Sequence, residues 1–404
     1  MTTTTTLDLD ELNADPFPVY ADLRRAQPWA RSEQLGMRLV SRYDDVVFVD
    51  QHPEIFSSEV DGALTTRAMG LSMLRSEGEQ HRRLRAAAEA PLKRRAVRSD
   101  WTPVLEQIAD DHVGRLRGRE SLDLVSDLAS PFTGACLAAL LGLPDATPEM
   151  VRDWSDAFIA GATNNLDDAE IWRHAAQAKD AVQEHVAAAI ERPHAATAGT
   201  VVSAMAQAHP GAPLTLEEVA SNVRLMVAGG FNDARDLIAT LAWLLLGHPQ
   251  IRRRASVEQD VMDRAIDECV RWLSPVGTFP RQLTTDFDNG DVVLRRGERI
   301  LVLAASANWD ESRFPQPERF DVDRPNLFEH VGFSLGMHYC LGTHFVREMV
   351  RIAVPRVLAL PGLRVEAEPV FAGWMFRGPT AVLVQQPVDQ PEILVGRAGD
   401  HGPG

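Results

Sequence analysis

The sequence predicts a mainly α-helical protein that carries small β-sheets. Alanine- and leucine-rich stretches with helical spacing cover most of Leu105 to Pro193, and a second helical pattern runs from Thr215 to Gly247. Segments with the alternation that is typical of strands are few and short. Helices should therefore strongly outnumber strands.

The first half of the chain predicts several helices and one small strand. A helical pattern begins at residues 15–20, and residues 36–49 indicate a strand followed by a helix. The helical region 105–193 is interrupted by prolines, which we expect to break it at Pro131 and Pro144.

The centre of the chain predicts one very long helix. Thr215-Leu216-Glu217-Glu218 has the form of a capping box, and the pattern then continues to Gly247 before a proline. At 1.5 Å per residue this helix is roughly 45–50 Å long. Gly229 and Gly230 lie near its middle, where each glycine costs about 1 kcal/mol relative to alanine. A helix that contains two such residues usually lies close to another body, such as a bound group.

Two further elements follow the long helix. Residues 263–273 predict a helix in which Glu268 and Arg271, three positions apart, share one face and can form an ion pair. Residues 291–294 and 299–303 predict a β-hairpin around Arg295-Arg296-Gly297-Glu298.

The most informative segment is Phe333-Ser334-Leu335-Gly336-Met337-His338-Tyr339-Cys340-Leu341-Gly342. It places one cysteine in a glycine-containing loop directly before an apolar helical pattern. The N-terminus of a helix offers partial positive charge and free N–H groups, which stabilise a thiolate. Gly336 and Gly342 allow the backbone to approach a flat ligand closely.

This spacing resembles the haem-binding loop of the cytochrome P450 superfamily, in which a cysteine thiolate is the proximal ligand of the haem iron. The resemblance implies the cytochrome P450 fold, with the long central helix over haem b. It also implies a monooxygenase that receives electrons from NAD(P)H through a ferredoxin or flavodoxin-like donor and its reductase. Cys340 would be the axial ligand of the iron.

Other interpretations of this segment are a small buried cysteine, a serine-hydrolase elbow at Gly332-Phe333-Ser334-Leu335-Gly336, and a zinc site formed by His338, Cys340 and His344. The elbow needs a helix directly after the serine, whereas a second turn follows here. The zinc site lacks a second pair of ligands at a usable spacing.

The resemblance assigns further residues by their matching positions. The loop residues Phe333, Gly336, His338 and Gly342 would contact the haem, and the propionates would bind His81, Arg85, Arg281 and His330. A buried charge network supporting the loop would consist of Glu268, Arg271 and the arginine of Pro317-Glu318-Arg319-Phe320.

The sequence departs from the family pattern beside the two central glycines. The family places an acid and then a threonine there to relay protons, whereas this chain has Asn232 and Asp233. Together with Gly229 and Gly230 these residues form the expected catalytic segment. An amide could only orient water, but Asp233 could carry protons if its surroundings raise its pKa.

Several reactions stay compatible with that departure. The first is ordinary monooxygenation in which Asp233 and water deliver protons, and in the second a polar group of the substrate replaces the missing hydroxyl. The enzyme could also use peroxide or catalyse a non-hydroxylating reaction, or the chain could be a haem sensor or ligand-binding protein.

The segments that correspond to substrate pockets of this family are mostly apolar. They predict a small or medium apolar substrate, with hydroxylation or O-dealkylation as the reaction type. The predicted pocket residues are Leu71, Phe231, Val276, Phe279, Met375 and Phe376.

Composition sets the remaining expectations. The chain has 404 residues, a formal net charge of −16 and three cysteines, so nucleic acid is not expected as a partner and the reducing cytoplasm is the expected location. No secretory signal or membrane-spanning segment is predicted, and a monomer is expected. We expect a flexible N-terminal tail over 1–14, a single domain over 15–395 and a flexible C-terminal tail over 396–404. Arginines near residues 82–98 and 347–356 form an expected docking patch for the electron donor.

Overall fold

Helices dominate the computed structural model, which describes residues 4–193, 199–209 and 211–387. The mainly α-helical prediction is confirmed. The helices are α1 (Leu9–Ala14), α2 (Pro16–Ala26), α3 (Tyr43–Gln51), α4 (Leu64–Met69), α5 (Gly78–Ala88), α6 (Arg94–Ala96), α7 (Thr102–Gly114), α8 (Ser130–Leu141), α9 (Pro148–Ala162), α10 (Ala169–Glu191), α11 (Val201–Gln207), α12 (Leu216–Gly247), α13 (Pro249–Ala255), α14 (Gln259–Leu273), α15 (Ala304–Asn308) and α16 (Thr343–Leu358).

Short strands form one larger sheet and three small ones. The strands are β1 (Thr4–Thr5), β2 (Arg31–Ser32), β3 (Met37–Val40), β4 (Phe56–Ser57), β5 (Ser121–Asp123), β6 (Phe279–Leu283), β7 (Phe287–Asp288), β8 (Val293–Leu294), β9 (Arg299–Val302), β10 (Arg364–Val365), β11 (Phe371–Ala372), β12 (Gly378–Pro379) and β13 (Leu383–Gln385). The larger sheet has the order β1-β2-β3-β9-β6-β4.

The predicted hairpin between β8 and β9 is wrong. β8 pairs with β7, whereas β9 lies inside the larger sheet between β3 and β6. The two hydrogen-bonding edges of β9 are taken by β3 and β6, so no edge is left for β8. Ile300, Leu301 and Val302 are all buried, as is typical of a strand in the interior of a covered sheet.

The long helix α12 begins and ends where the sequence predicts. Thr215 accepts a hydrogen bond from the Glu218 N–H, and the Glu218 side chain accepts one from the Thr215 N–H, so the capping box is complete. α12 packs against α8, α9, α10 and α16, which places it across the centre of the helical core. The break predicted at Pro131 is wrong, because a π-helical segment, Leu124–Ala129, runs directly into α8, and Pro131 is tolerated in the first turn of α8.

The expectation of a flexible tail over 1–14 is wrong for residues 7–14, and residues 1–3 lie outside the described residues. Asp8 caps α1 by accepting hydrogen bonds from the N–H groups of Asp10 and Glu11, and Leu7 and Leu12 are buried. The apolar face of this short helix packs against the sheet-side core. The tail expected at 396–404 and residues 388–395 lie outside the described residues.

The cysteine loop lies where two cores meet. Phe333 packs against the large helical core, whereas Leu335, two residues later, packs against the core beneath the larger sheet. The loop is thereby attached to both halves of the fold.

One helical stretch, Leu124–Leu141, is long and apolar enough to cross a membrane by composition alone. In the structure 67% of it is buried within the protein, as expected for a core helix of this composition.

Candidate active site

Cys340 stands in an open position between a tight turn and the start of α16. Its side chain is exposed, and its backbone N–H donates to the Phe333 carbonyl at 2.9 Å. Gly336 has a φ of +59°, a conformation that favours glycine, and it lets the chain turn before the cysteine. Gly342 comes two residues after the cysteine, and a Cβ placed on this glycine would lie 3.9 Å from the cysteine sulfur.

The surroundings of the sulfur act on its pKa in both directions. Desolvation of the sulfur by the surrounding loop raises the pKa of the Cys340 thiol, while the Gly342 N–H and the Thr343 hydroxyl lower it. Asp233 adds a raising effect and Arg85 a lowering one. Burial prevails, so the predicted N–H donors do not by themselves give a low pKa. A metal cation bound to the sulfur would favour the thiolate.

Asp50, at the end of α3, ties the loop to the larger sheet. One of its oxygens accepts from Arg281 Nη2 at 2.9 Å. The other accepts from Ser334 Oγ at 2.7 Å and from the Leu335 N–H at 2.6 Å. The Ser334 hydroxyl thus donates to a carboxylate and not to an imidazole, which argues against a serine-hydrolase elbow.

The expected haem-contacting histidines and Arg85 occupy different settings. His338 Nε2 lies 3.3 Å from Glu77 Oε1, and its ring centroid is 4.6 Å from that of His81. Burial and the nearby His338 lower the pKa of His81 to about 4. Arg85 Nη2 donates to the Tyr339 carbonyl at 2.8 Å, beside the cysteine.

His330 faces away from this group. Its Nε2 lies 3.3 Å from Asp267 Oδ1, and Arg347 binds the same carboxylate. His330 therefore meets an acid of α14 and is not held free for a propionate. His344, the remaining residue of the zinc alternative, lies on α16 among arginines, and no group of three His, Cys, Asp or Glu side chains suited to a metal occurs among the described residues.

The buried charge network contains Glu268 and Arg271 but not Arg319. Both Glu268 oxygens accept from Arg271, at 2.8 and 2.9 Å, and neither side chain is exposed. The second cation is Arg324, whose Nε donates to Glu268 Oε1 at 2.9 Å.

The expected role of Arg319 is wrong because its side chain points outward and donates to Gln316. Only its carbonyl takes part, as an acceptor for Arg271 and Arg324. The neighbouring Phe320 is the buried member of this turn, and it directs Arg319 to the solvent.

The middle of α12 presents an open face to the cysteine loop. Gly229 is exposed within a mostly buried helix, and a Cβ placed on it would meet nothing within 4 Å. Asp233, one turn later, lies on the same face and is partly accessible. Its charge acts on the Cys340 thiol, so the carboxyl lies within electrostatic range of the sulfur.

Gly230 and Asn232 face neighbouring helices instead. A Cβ on Gly230 would lie 3.1 Å from the side chain of Leu137, so this glycine permits close packing with α8. Asn232 is buried and hydrogen-bonds Asp156 of α9. The water-orienting position expected for Asn232 is therefore wrong.

The surroundings of Asp233 disfavour its ionised form. Burial, reinforced by the charge of Asp236 and partly offset by Arg235, raises the pKa of Asp233 to about 8. Asp236 is paired with Arg235, at 2.7 Å between Oδ1 and Nε. The protonated form of the carboxyl on the open face is thus favoured at neutral pH.

Most predicted pocket residues line the ends of the C-terminal strands, but two do not fit. Val276 and Phe376 form a β-bridge, Phe279 begins β6, and the Met375 sulfur lies 4.0 Å from Asn165 Nδ2 in the turn between α9 and α10.

Phe231 is wrong as a pocket residue, because it is fully buried and lies two positions, or 200°, around the helix from the open Gly229 face. It packs in the helical core instead. Leu71 is 48% exposed to solvent and is not enclosed by the fold.

A clasp joins α4 to the turn before α10. Arg67 Nη1 and Trp172 Nε1 both contact Asp167 Oδ1 at 2.6 Å, and the Arg67 guanidinium lies 3.9 Å above the Trp172 ring. By the family resemblance, residues 60–74 and 158–165 are expected to border the substrate pocket. α4 lies in the first of these segments and the turn adjoins the second, so the clasp would hold two expected pocket borders together.

Comparison with known proteins identifies the family. The family model described as Cytochrome P450 matches residues 164–365. Cytochrome P450 107B1 of Saccharopolyspora erythraea is 31% identical over 312 residues, covering 76% of this chain and 74% of that protein. The chain belongs to the cytochrome P450 family.

Further relatives of this cytochrome P450 match over most of its length. The steroid C26-monooxygenase of Mycolicibacterium smegmatis is 29% identical over 356 residues, covering 85% of this chain and 88% of that protein. The crystal structure of CalO2 has a TM-score of 0.84 at 27% identity, covering 96% of this chain and 99% of that one. The protein is therefore an oxidoreductase of the P450 monooxygenase family, which uses haem b and electrons from NAD(P)H supplied through partner proteins.

The donor set of the site fits haem b. Cys340 offers an accessible sulfur with N–H and hydroxyl groups around it, and Arg85 and Arg281 supply cations near the loop. Gly229 leaves space on the opposite helix.

Sequence reasoning missed four supporting residues. Asp50, Glu77 and Asp267 are acids that hold loop residues from other elements, and Arg324 completes the charge network. Each lies in an ordinary helical or turn pattern, so no local signal marks its role.

Proposed function

We propose that this P450 inserts one oxygen atom from O2 into a small or medium apolar substrate, and that Asp233 delivers the protons. The observation that carries the proposal is the carboxyl of Asp233 on the open face of α12, with its pKa raised to about 8. Haem held by Cys340 would supply the activation of dioxygen, which no protein side chain provides. The protein must supply protons, exclude water and hold the substrate.

Asp233 can give up a proton and be recharged from the surface. Asp236 and Arg235 adjoin it on the same helix and act on it through their charges. Burial raises the pKa of the nearby Asp156, and Arg235 partly offsets this effect, so charged groups extend from the vicinity of Asp233 to α9. The acid thus stands one residue later than the family pattern places it and still serves the same need.

The substrate pocket is expected to be apolar. Val276, Phe279, Met375 and Phe376 come from the start of β6 and the β-bridge that precedes it, and they carry no charged group. A relative bears the name steroid C26-monooxygenase, which supports an apolar substrate class for this chain as well.

The test compares donor-driven and peroxide-driven turnover in the haem-loaded protein. A surrogate ferredoxin, its reductase and NADPH are supplied with any apolar compound that shifts the Soret band on binding. Asp233→Asn should lower donor-driven product about 100-fold, the scale of general acid catalysis. The carbon monoxide difference spectrum should stay unchanged.

Peroxide provides the internal control, because it brings its own protons with the oxygen. Peroxide-driven product should therefore be retained in Asp233→Asn. Unchanged donor-driven product in this variant would contradict the role of Asp233. A wild type that forms product with peroxide but none with the donor system would favour a peroxide-using enzyme, and binding without product from either would favour a sensor.

The electron donor is proposed to be an acidic ferredoxin or flavodoxin-like protein. Arg94, Arg95 and Arg98 are exposed, line a surface recess and form no ion pair within the described ranges. Arg94 and Arg98 lower the pKa of His344 on α16, after the larger effects of burial and Arg347, so they lie near the helix that follows Cys340. Most other arginines of the expected patch are neutralised by acids, as Arg351 is by Asp263.

A triple variant with Gln at 94, 95 and 98 should associate with the donor about tenfold more slowly at low salt. Peroxide-driven turnover should not change. A control with the same loss of charge elsewhere replaces Arg295, Arg296 and Arg299. Equal effects of the two triple variants would contradict a specific docking surface.

We also propose a monomer located in the cytoplasm. Cys136, Cys269 and Cys340 are all unpaired, as is usual in a reducing compartment. Sedimentation of the haem-loaded protein would test the monomer, and cell fractionation the location.

A further inference from the structure

Arg75 is a buried cation without an acidic partner. It is 5% exposed and ends a short turn between α4 and α5. Its Nε donates to Thr65 Oγ1 at 2.9 Å, and its Nη1 donates to the carbonyls of Ser58 and Pro280 at 3.3 and 3.4 Å. No described Asp or Glu forms an ion pair with it, and its Nη2 has no hydrogen-bond partner among the described residues.

The nearby guanidinium of Arg281 makes the burial of the Arg75 charge still less favourable. Burial, with the charge of Arg281 added, lowers the pKa of Arg75 to about 9, and no carboxylate offsets these effects. Arg281 has Asp50 as its partner, and the second oxygen of Asp50 is engaged by the cysteine loop. Asp50 thus neutralises Arg281 but leaves Arg75 without a carboxylate, and an isolated buried charge is costly.

Other buried arginines of this protein each have a carboxylate that neutralises or stabilises their charge. Arg24, Arg224, Arg271 and Arg324 each pair with a carboxylate. Arg38 has no ion pair, but Glu298 lies within electrostatic range and raises its pKa. No carboxylate within electrostatic range raises the pKa of Arg75, so its counter-charge must come from outside the described chain.

The position of Arg75 indicates where this anion would lie. Its three hydrogen bonds join the segment before α4, α4 itself and β6, and β6 also carries Phe279 of the predicted pocket. The guanidinium therefore lies at the border between the pocket segments and Arg281.

We propose that Arg75, together with Arg281, binds a carboxylate, either a haem propionate or an acidic group of the substrate. Nη2 of Arg75 is the atom left to donate, and guanidinium–carboxylate hydrogen bonds are among the stronger ones in proteins. The proposal rests on the proposed haem-thiolate function. Its test measures no turnover, so the two proposals can fail independently.

The test uses the haem-loaded Arg75→Gln variant, whose shorter amide can keep a hydrogen bond to Thr65 but loses the charge and the bonds of Nη1 to the carbonyls. Haem release is followed by transfer to an excess of a haem-acceptor protein. Ligand binding is followed by Soret titration with dodecanoic acid and with methyl dodecanoate. Arg38→Gln is the matched control for removing a buried arginine, and Arg75→Lys tests whether charge alone restores the property.

Two results would support the proposal and identify the source of the carboxylate. Haem release about tenfold faster than in the wild type, the effect of one charge-assisted hydrogen bond, would indicate a propionate. Dodecanoic acid binding about tenfold more weakly, with the methyl ester unaffected, would indicate a substrate carboxylate. In either case Arg75→Lys should recover part of the loss, whereas lost packing would not be recovered.

Three results would overturn it. These are wild-type haem release and wild-type acid binding in Arg75→Gln, a haem-release change equal to that of Arg38→Gln, or an equal loss of affinity for acid and ester with haem release unchanged.

Discussion

Arg324→Gln removes one of the two cations that neutralise Glu268 in the interior of the protein. Glu268 is completely buried, and it also accepts a hydrogen bond from the Asp321 N–H at 2.9 Å. Arg324 in addition donates to the carbonyls of Pro315, Gln316 and Arg319. Removing one partner from a buried ion pair costs about 3–5 kcal/mol, because the remaining charge is left without compensation.

Arg319→Gln is the matched control, because it makes the same chemical change five residues earlier in the same loop. Its side chain is exposed and contacts only Gln316, so the free energy of unfolding should change by less than about 0.5 kcal/mol. Both variants are unfolded in guanidinium chloride in their haem-loaded form. The carbon monoxide difference spectrum reports whether the cysteine loop is intact.

A double-mutant cycle with Glu268→Gln isolates the interaction. The coupling energy with Arg324 should exceed about 1 kcal/mol, whereas that with Arg319 should be near zero. The reasoning would be refuted if Arg319→Gln destabilised the protein as much as Arg324→Gln, or if Arg324 showed no coupling to Glu268.

Three further predictions concern the loop, the acid and the clasp. Gly332→Ala would place a Cβ 2.5 Å from a methyl group of Val270 and should destabilise the protein by about 1–3 kcal/mol in denaturant unfolding. The control Gly114→Ala, whose new Cβ would meet nothing within 4 Å, should not destabilise it. Similar costs for the two variants would contradict the packing argument. Donor-driven product should fall as the pH rises through about 8, because ionised Asp233 has no proton to give, and a flat pH profile would count against the acid. Arg67→Gln, which opens the clasp, should speed substrate association and dissociation in stopped-flow Soret measurements. It should cost only about 0.2–1 kcal/mol of stability, as expected for an exposed ion pair. Unchanged rates would show that the clasp does not control substrate access.

The sequence alone determined the features that depend on neighbouring residues. The capping box of α12, the two central glycines and the loop around Cys340 are all encoded within short segments, where backbone geometry and helix periodicity act directly. For the same reason the pairing of Glu268 with Arg271 could be expected from their spacing of three.

Only the tertiary structure decided which distant groups meet. Arg324 and not Arg319 reaches Glu268, because the turn containing the buried Phe320 directs the earlier arginine outward. Asp50 and Arg75 gain their roles from contacts with residues more than 200 positions away.

The orientation of α12 about its own axis is also determined by packing and not by its local sequence. A one-residue step turns a side chain by 100°, so helical periodicity cannot say whether Asn232 or Asp233 faces Cys340 until the neighbouring helices fix the orientation. The local sequence thus determined that a haem-thiolate loop and a long helix exist. The packing of α8, α9 and α16 against that helix decided which acid it presents, because burial energy acts between elements that are distant in the chain.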